Sequence, residues 1–157
     1  MALSGIAICS RALMKLGADG ITSFEDGTAE AEVAASLYGP ARDALLSAYP
    51  WSFATGQISL ARLAAEPVAD YAYAYQLPSD FLRVLSAGIG GRGRGIQYRI
   101  AERRLHTDAS EVTLTYIFRP DEETFPAFFD QALIVRLAAE FCIPLTDSTS
   151  RSEVLTR

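Results

Sequence analysis

"LLSAYPWSFA", Leu45–Ala54, is where the sequence changes its period. Before it, apolar residues recur every three or four positions, the spacing of one helix face. After it, from about residue 56, the period falls to two, which is the spacing of a strand. Pro50 sits in the junction and disfavours helical backbone at the residue before it. The same ten residues carry Tyr49, Trp51 and Phe53, and Trp51 is the only tryptophan in the chain. Aromatic side chains bury large, rigid area. This cluster is therefore placed either in the core where helix meets sheet or at an interface between subunits, where tryptophan is enriched.

Toward the N-terminus the pattern predicts two helices, at about 4–17 and 28–49. Ser4 and Thr28 are suitable N-caps. Gly17 is a suitable stop for the first helix, and Ile6, Cys9, Leu13 and Leu16 form its buried face. Glu30 and Glu32 fall in the first turn of the second helix, where the helix dipole favours them. Its apolar stripe is Ala34, Leu37, Tyr38, Ala41, Leu45 and Ala48. Pro40 interrupts this stripe and predicts a kink or break near Gly39.

Toward the C-terminus, "ISLARL", "YAYAYQL", "LRVLSAG", "IQYRI", "RLHTD" and "VTLTYIF" read as short strands of one small antiparallel sheet, an insertion at about 56–119. "LPSDF" reads as a turn in which Ser79 or Asp80 caps a single helical turn. A third helix follows at about 124–143, opened by Thr124 and ended by Pro144. It is apolar on nearly every side, with Arg136 and Glu140 as its main polar stripe, and so needs cover all round. Residues 146–157 form a tail with cap residues but only Val154 and Leu155 as large apolar side chains. The expected fold class is α+β: one domain over 1–157, a bundle of three to four helices with an inserted antiparallel sheet.

The chain has 157 residues, half of them apolar, and a formal net charge of -5. An acidic chain is not a general nucleic-acid binder. Cys9 and Cys142 lie in apolar helical patterns and read as buried free thiols. No CxxC or Cys/His cluster supports a metal site, and no cofactor is expected. The longest apolar run, "ALIVRLAAEFCIPL", is broken by Arg136 and Glu140 and is too short to span a bilayer, so no membrane partner is expected.

Catalytic constellations are weak throughout. His106, the only histidine, has Asp108 and Ser110 close by in sequence. The three fall on one hairpin without a nucleophile elbow or oxyanion hole, so a small hydrolase is only an alternative. "GIGGRGRG" has the glycine content of a phosphate loop but lacks its order. It is read as a mobile basic loop in which Arg92 and Arg94 face a DNA channel or a partner. A DNA-binding module built on this loop is a second alternative.

Four ordered blocks then carry a family resemblance: "ICSRALMKLGADGITSFEDGTAEAEVAASLYGPARDALLSAYPWSFAT", "YAYAYQLPSDFLRVL", "YRIAERRLHTDA" and "LTYIFRPDEETFPAFFDQALIVRLAAEFCIPLT". Together they resemble the phage tail tubular protein A family, the head-to-tail adaptors, or connectors, of tailed phages. The resemblance implies a non-enzymatic virion protein, made in the host cytoplasm, that forms a dodecameric ring with itself. Its implied partners are the portal protein on one side and the tail tube or nozzle protein on the other. DNA passes through the channel without sequence-specific binding. On this reading the tail with Val154 and Leu155 docks on the portal.

Overall fold

The computed structural model describes residues 3–146. In chain order its elements are α1 (Gly5–Lys15), α2 (Ala29–Ser47), β1 (Thr55–Ser59), β2 (Tyr73–Gln76), β3 (Phe81–Gly88), β4 (Arg99–Ala101), β5 (Arg104–Thr107), β6 (Thr113–Phe118) and α3 (Ala127–Thr146). Single 3₁₀ turns lie at Ser52–Ala54 and Glu122–Thr124. The fold is mixed α+β. Two compact units divide it: a helical unit of the residues up to Ala48 and from Pro120 onward, and a sheet unit, Tyr49–Arg119.

Local bonds start and stop the first two helices. The Ser4 Oγ accepts from the Ala7 N–H at 3.1 Å, and the Thr28 Oγ1 from the Ala31 N–H at 3.1 Å. Each satisfies one amide that the helix itself leaves unpaired. The end of α1 is a Schellman motif. The Ala18 N–H donates to the Leu13 carbonyl and the Gly17 N–H to the Met14 carbonyl, both at 3.1 Å. Gly17 has a φ of 74°, which a residue without a Cβ adopts at little cost. Ser10 then pins the following loop to α1. Its hydroxyl donates to the Ile21 carbonyl at 2.9 Å and accepts from the Ile21 N–H at 3.1 Å.

Within the helical unit α3 packs against both α1 and α2. The buried face of α1 is Ile8, Cys9, Ala12 and Leu13, joined by Leu16 after the helix. Ile6, placed in that face from sequence, is only half-buried, and Ile8 takes its place. On α2 the buried residues are Ala31, Ala34, Tyr38, Ala41 and Leu46. The Tyr38 hydroxyl donates to the Glu122 carboxylate at 2.9 Å, and Arg42 reaches the same carboxylate at 3.4 Å.

α2 runs through Pro40 without a break, and one proline expectation is corrected: α3 runs through Pro144 to Thr146 instead of ending there. Both prolines are exposed, as are Ser36 and Glu140, whose carbonyls lose their intrahelical donors. At exposed positions water can take the place of the missing donor, which lowers the penalty of an unpaired carbonyl. α3 also begins at Ala127 and not at Thr124, which closes the preceding 3₁₀ turn.

The sheet unit holds two antiparallel three-stranded sheets, ordered β1-β6-β3 and β2-β5-β4, where the sequence pointed to one. In the first, Thr55 faces Ile117 and Ser59 faces Thr113, and β3 pairs with the other edge of β6 through two register shifts. In the second, Tyr75 faces Leu105 and Ile100 faces the same residue from β4. Tyr75, Leu77, Ala87, Leu105, Val112, Leu114 and Tyr116 form one apolar core. "ISLARL" contributes only its first two residues to β1, and Arg62 then bridges Tyr75 alone. "LPSDF" is a turn without the helical turn expected there, because Phe81 already enters β3. Only Arg99–Ala101 near "IQYRI" is strand. The β4–β5 hairpin turns on Glu102 and Arg103, with φ of 56° and 61°. Positive φ at both central positions matches the twist of the flanking strands.

Candidate functional site

The aromatic cluster after α2 belongs to the sheet unit. The Tyr49 and Trp51 rings meet edge-on at 5.1 Å, and Trp51 and Phe53 lie 6.1 Å apart. Tyr49 is 60% exposed, while Trp51 and Phe53 are half-buried. The Trp51 carbonyl accepts from the Thr55 hydroxyl at 2.8 Å and the Ala54 N–H at 3.0 Å, which ties the cluster to the start of β1. Trp51 is thus braced by its neighbours and partly open, between the two roles the sequence left for it.

Arg92 and Arg94 are both exposed on the loop between β3 and β4. The middle of this loop is seated on the first sheet. The Gly93 carbonyl accepts from the Ser86 hydroxyl at 2.6 Å and the Thr115 hydroxyl at 2.9 Å. The Gly90 N–H donates to the Glu111 carboxylate at 3.2 Å, and the Ile96 N–H to the Ala87 carbonyl at 3.2 Å. Glycine count alone does not reveal these anchors. Arg92 and Arg94 line an open pocket together with Gln57, Ser86, Gly93 and Thr115.

Charge divides between the units. The sheet unit has eight arginines against six carboxylates, a net +2, and the rest of the chain carries six cations against thirteen carboxylates, a net -7. The overall -5 therefore conceals a sheet unit of opposite sign.

His106 lies on β5, facing Ala74 and Arg99 in register, and is 4% exposed. Its Nδ1 has no hydrogen-bond partner among the described residues. Asp108 is not its partner, because that carboxylate accepts from the Ala72 N–H at 2.9 Å. Ser110 is exposed. The three residues adjacent in sequence therefore do not converge on a common reacting position.

The helical unit leaves large apolar side chains in water: Met14 at 68%, Phe128 at 60%, Ile143 at 45% and Val135 at 42% exposure. An open groove between α1 and α3 is lined by Arg11, Met14, Lys15, Gln131 and Ile134. Asp130, one residue from the groove lining, is 5% exposed and its Oδ1 has no hydrogen-bond partner. Burial pushes its carboxyl above the ordinary range, and the Arg11 charge opposes that shift. Sequence periodicity flagged α3 as too apolar for one covered face but did not point to the groove. Among the described residues no His, Cys, Asp and Glu group is arranged to hold a metal, and no helix is long and apolar enough to cross a membrane. Val154 and Leu155 lie outside the described residues. Compared with known proteins, the chain matches no family model and no curated protein.

Proposed function

We propose that the chain is a structural head-to-tail adaptor of a tailed phage, one copy of a ring of about twelve that joins the portal to the tail. The reading rests on the four ordered blocks that resemble the tail tubular protein A family. The observation that carries it in the structure is the uncovered apolar surface of the helical unit, led by Met14 and Phe128. Side chains of this size are depleted from free surfaces unless a partner covers them. On this reading the three helices form the bundle that meets neighbouring subunits, the protein works in the virion at the head-tail junction, and it performs no catalysis. The tail with Val154 and Leu155 docks on the portal. Electron microscopy of the purified chain, alone and mixed with portal-bearing heads, tests the proposal. Closed rings, or twelvefold density under the portal, are the expected result. A chain that stays monomeric and joins no heads overturns it.

One observation favours a second reading. The sheet unit is net positive, and Arg92 and Arg94 project from a seated loop, so this unit can line a DNA channel or bind duplex directly. Direct binding predicts salt-sensitive affinity for duplex DNA that Arg92→Ala with Arg94→Ala abolishes. A chain with no measurable affinity at low salt leaves only the channel role.

A further inference from the structure

The strand edges of the sheet unit are unequally guarded. An unpaired edge invites another strand, and proteins blunt it with cover, charge, bulges, proline or shortness. The outer edge of β2 is covered by the preceding segment: the Leu63 N–H donates to the Ala74 carbonyl at 2.8 Å and the Gln76 N–H to the Ala61 carbonyl at 3.0 Å. β3 is broken by two register shifts, and its Ala87 carbonyl accepts from the Ile96 N–H at 3.2 Å. β4 has three residues and starts at Arg99, which pairs with Asp70 at 3.0 Å. β1, Thr55–Ser59, has none of these devices. It is an edge of its sheet, pairs β6 without a register shift, and reads TGQIS, with no charge and no proline.

The ladder fixes which groups this edge offers. The Leu60 N–H donates to the Val112 carbonyl at 3.0 Å, and antiparallel bonding alternates along a strand. Gly56 and Ile58 therefore bond to β6, while Thr55, Gln57 and Ser59 turn their N–H and C=O groups outward. Gln57, Ile58 and Ser59 are exposed. Ile58 faces Leu114 in register and so shares the face of the apolar core, yet it is 40% exposed. Two places away on the same face, Gly56 leaves a gap beside the Phe118 ring, which lies 3.2 Å from where a Cβ would stand.

We infer that β1 is a docking edge for β1 of a second copy of this chain, the two strands running antiparallel about a two-fold axis at Gln57. The edge is complementary to itself. In this register Gln57 faces its own copy and Thr55 faces Ser59, so every outward group meets an outward group. Ile58 falls opposite Gly56 of the second copy, and its exposed side chain covers the gap beside Phe118. With no charge on either strand, nothing repels the match. The two three-stranded sheets become one of six strands. An isologous contact closes at two copies, so this contact is distinct from any that closes a ring and does not depend on the adaptor reading.

Sedimentation equilibrium of the full chain at high concentration tests it, with a dimer as the expected species. Gln57→Pro removes an outward N–H that β6 does not use, so the chain's own ladder stays intact. It deletes two bonds across the two-fold axis, and the dissociation constant should rise about thirtyfold. Disulfide trapping reads the register, because Cys9 and Cys142 are buried and do not compete. Gln57→Cys gives a covalent dimer, since facing residues of a bonded pair lie about 5.5 Å apart at Cα, within disulfide reach. Ile58→Cys does not, since its copy sits on the diagonal, about 7–8 Å away. A monomeric parent chain overturns the inference, as does a dimer unchanged by Gln57→Pro. If Gln57→Pro fails to fold, the cysteine variants decide. Absence of the Gln57→Cys crosslink overturns the contact, and equal trapping through Ile58→Cys overturns its register and the fit at Gly56. Rings seen by microscopy without the Gln57→Cys crosslink leave the adaptor reading standing and remove this contact. The crosslinked dimer without rings or head binding does the reverse.

Discussion

Replacing Gly88 by alanine unseats the arginine loop from below. Gly88 ends β3 and is buried. A Cβ built there runs into the carbonyl oxygens of Arg92 and Arg94 and the Arg94 nitrogen, all of them backbone atoms. Backbone cannot swing aside as a side chain does, so the loop must lift away from the strand. Lifting it strains three bonds: Ser86 to the Gly93 carbonyl, Thr115 to the same carbonyl, and the Ile96 N–H to the Ala87 carbonyl. At about 1 kcal/mol each, the loss is about 3 kcal/mol. Gly93→Ala provides the comparison. Its Cβ meets the Thr115 hydroxyl and the Gln57 amide. Both are side-chain atoms, and Gln57 is exposed and rotates away at the cost of its bond to the Thr115 hydroxyl, so the expected cost is about 1–2 kcal/mol. Urea unfolding followed by the fluorescence of Trp51 reads the sheet unit directly, because the only tryptophan lies in it. If Gly88→Ala stays within about 0.5 kcal/mol of the parent chain, or Gly93→Ala costs more, the seated loop is wrong.

Trp51→Ala is expected to destabilise by about 2 kcal/mol, roughly half the loss for a fully buried tryptophan, since Trp51 is half-buried. Thermal melts check this, and a loss above about 4 kcal/mol places the ring in the core. Tyr38 has its phenol raised above the ordinary value, first by burial and then by its hydrogen bond to Glu122. The neutral form is the one the fold favours, so this stabilisation is complete below about pH 10 and is lost as pH rises beyond it. Tyr38→Phe should cost about 1 kcal/mol at neutral pH and flatten that alkaline loss, measured by circular dichroism against pH. Cys9 is fully buried and its thiol is pushed up to about 12 by burial. Native protein should therefore resist a colourimetric disulfide reagent at neutral pH, with both thiols released together on unfolding, and fast reaction of either refutes the packing around α1.

The hydrolase alternative draws on His106, Asp108 and Ser110, which adjacency in sequence grouped together. In the fold they do not converge: β5 ends before Asp108, whose carboxylate accepts from the Ala72 amide, and Ser110 is exposed.

The sequence by itself determined the elements whose causes are local. Ser4 and Thr28 cap amides three residues away, and Gly17 closes α1 within two turns, so these boundaries were readable from a few letters. The period-two segments of β3 and β6 were readable for the same reason. Tertiary structure decided the rest. Thr55 pairs with Ile117 and Tyr75 with Leu105, and nothing near any of these four residues names its partner, so one expected sheet became two. The β4–β5 hairpin carries no asparagine or glycine to announce it. Pro144 ended the helix in the sequence reading because proline lacks a donor. It does not end it in the fold, where α3 continues to Thr146 and both Pro144 and Glu140, the residue whose carbonyl loses its donor, are exposed. The groove beside Met14 exists only because α1 lies against α3, and side-chain periodicity within one helix has no means of specifying which residues of another helix will stand across from it.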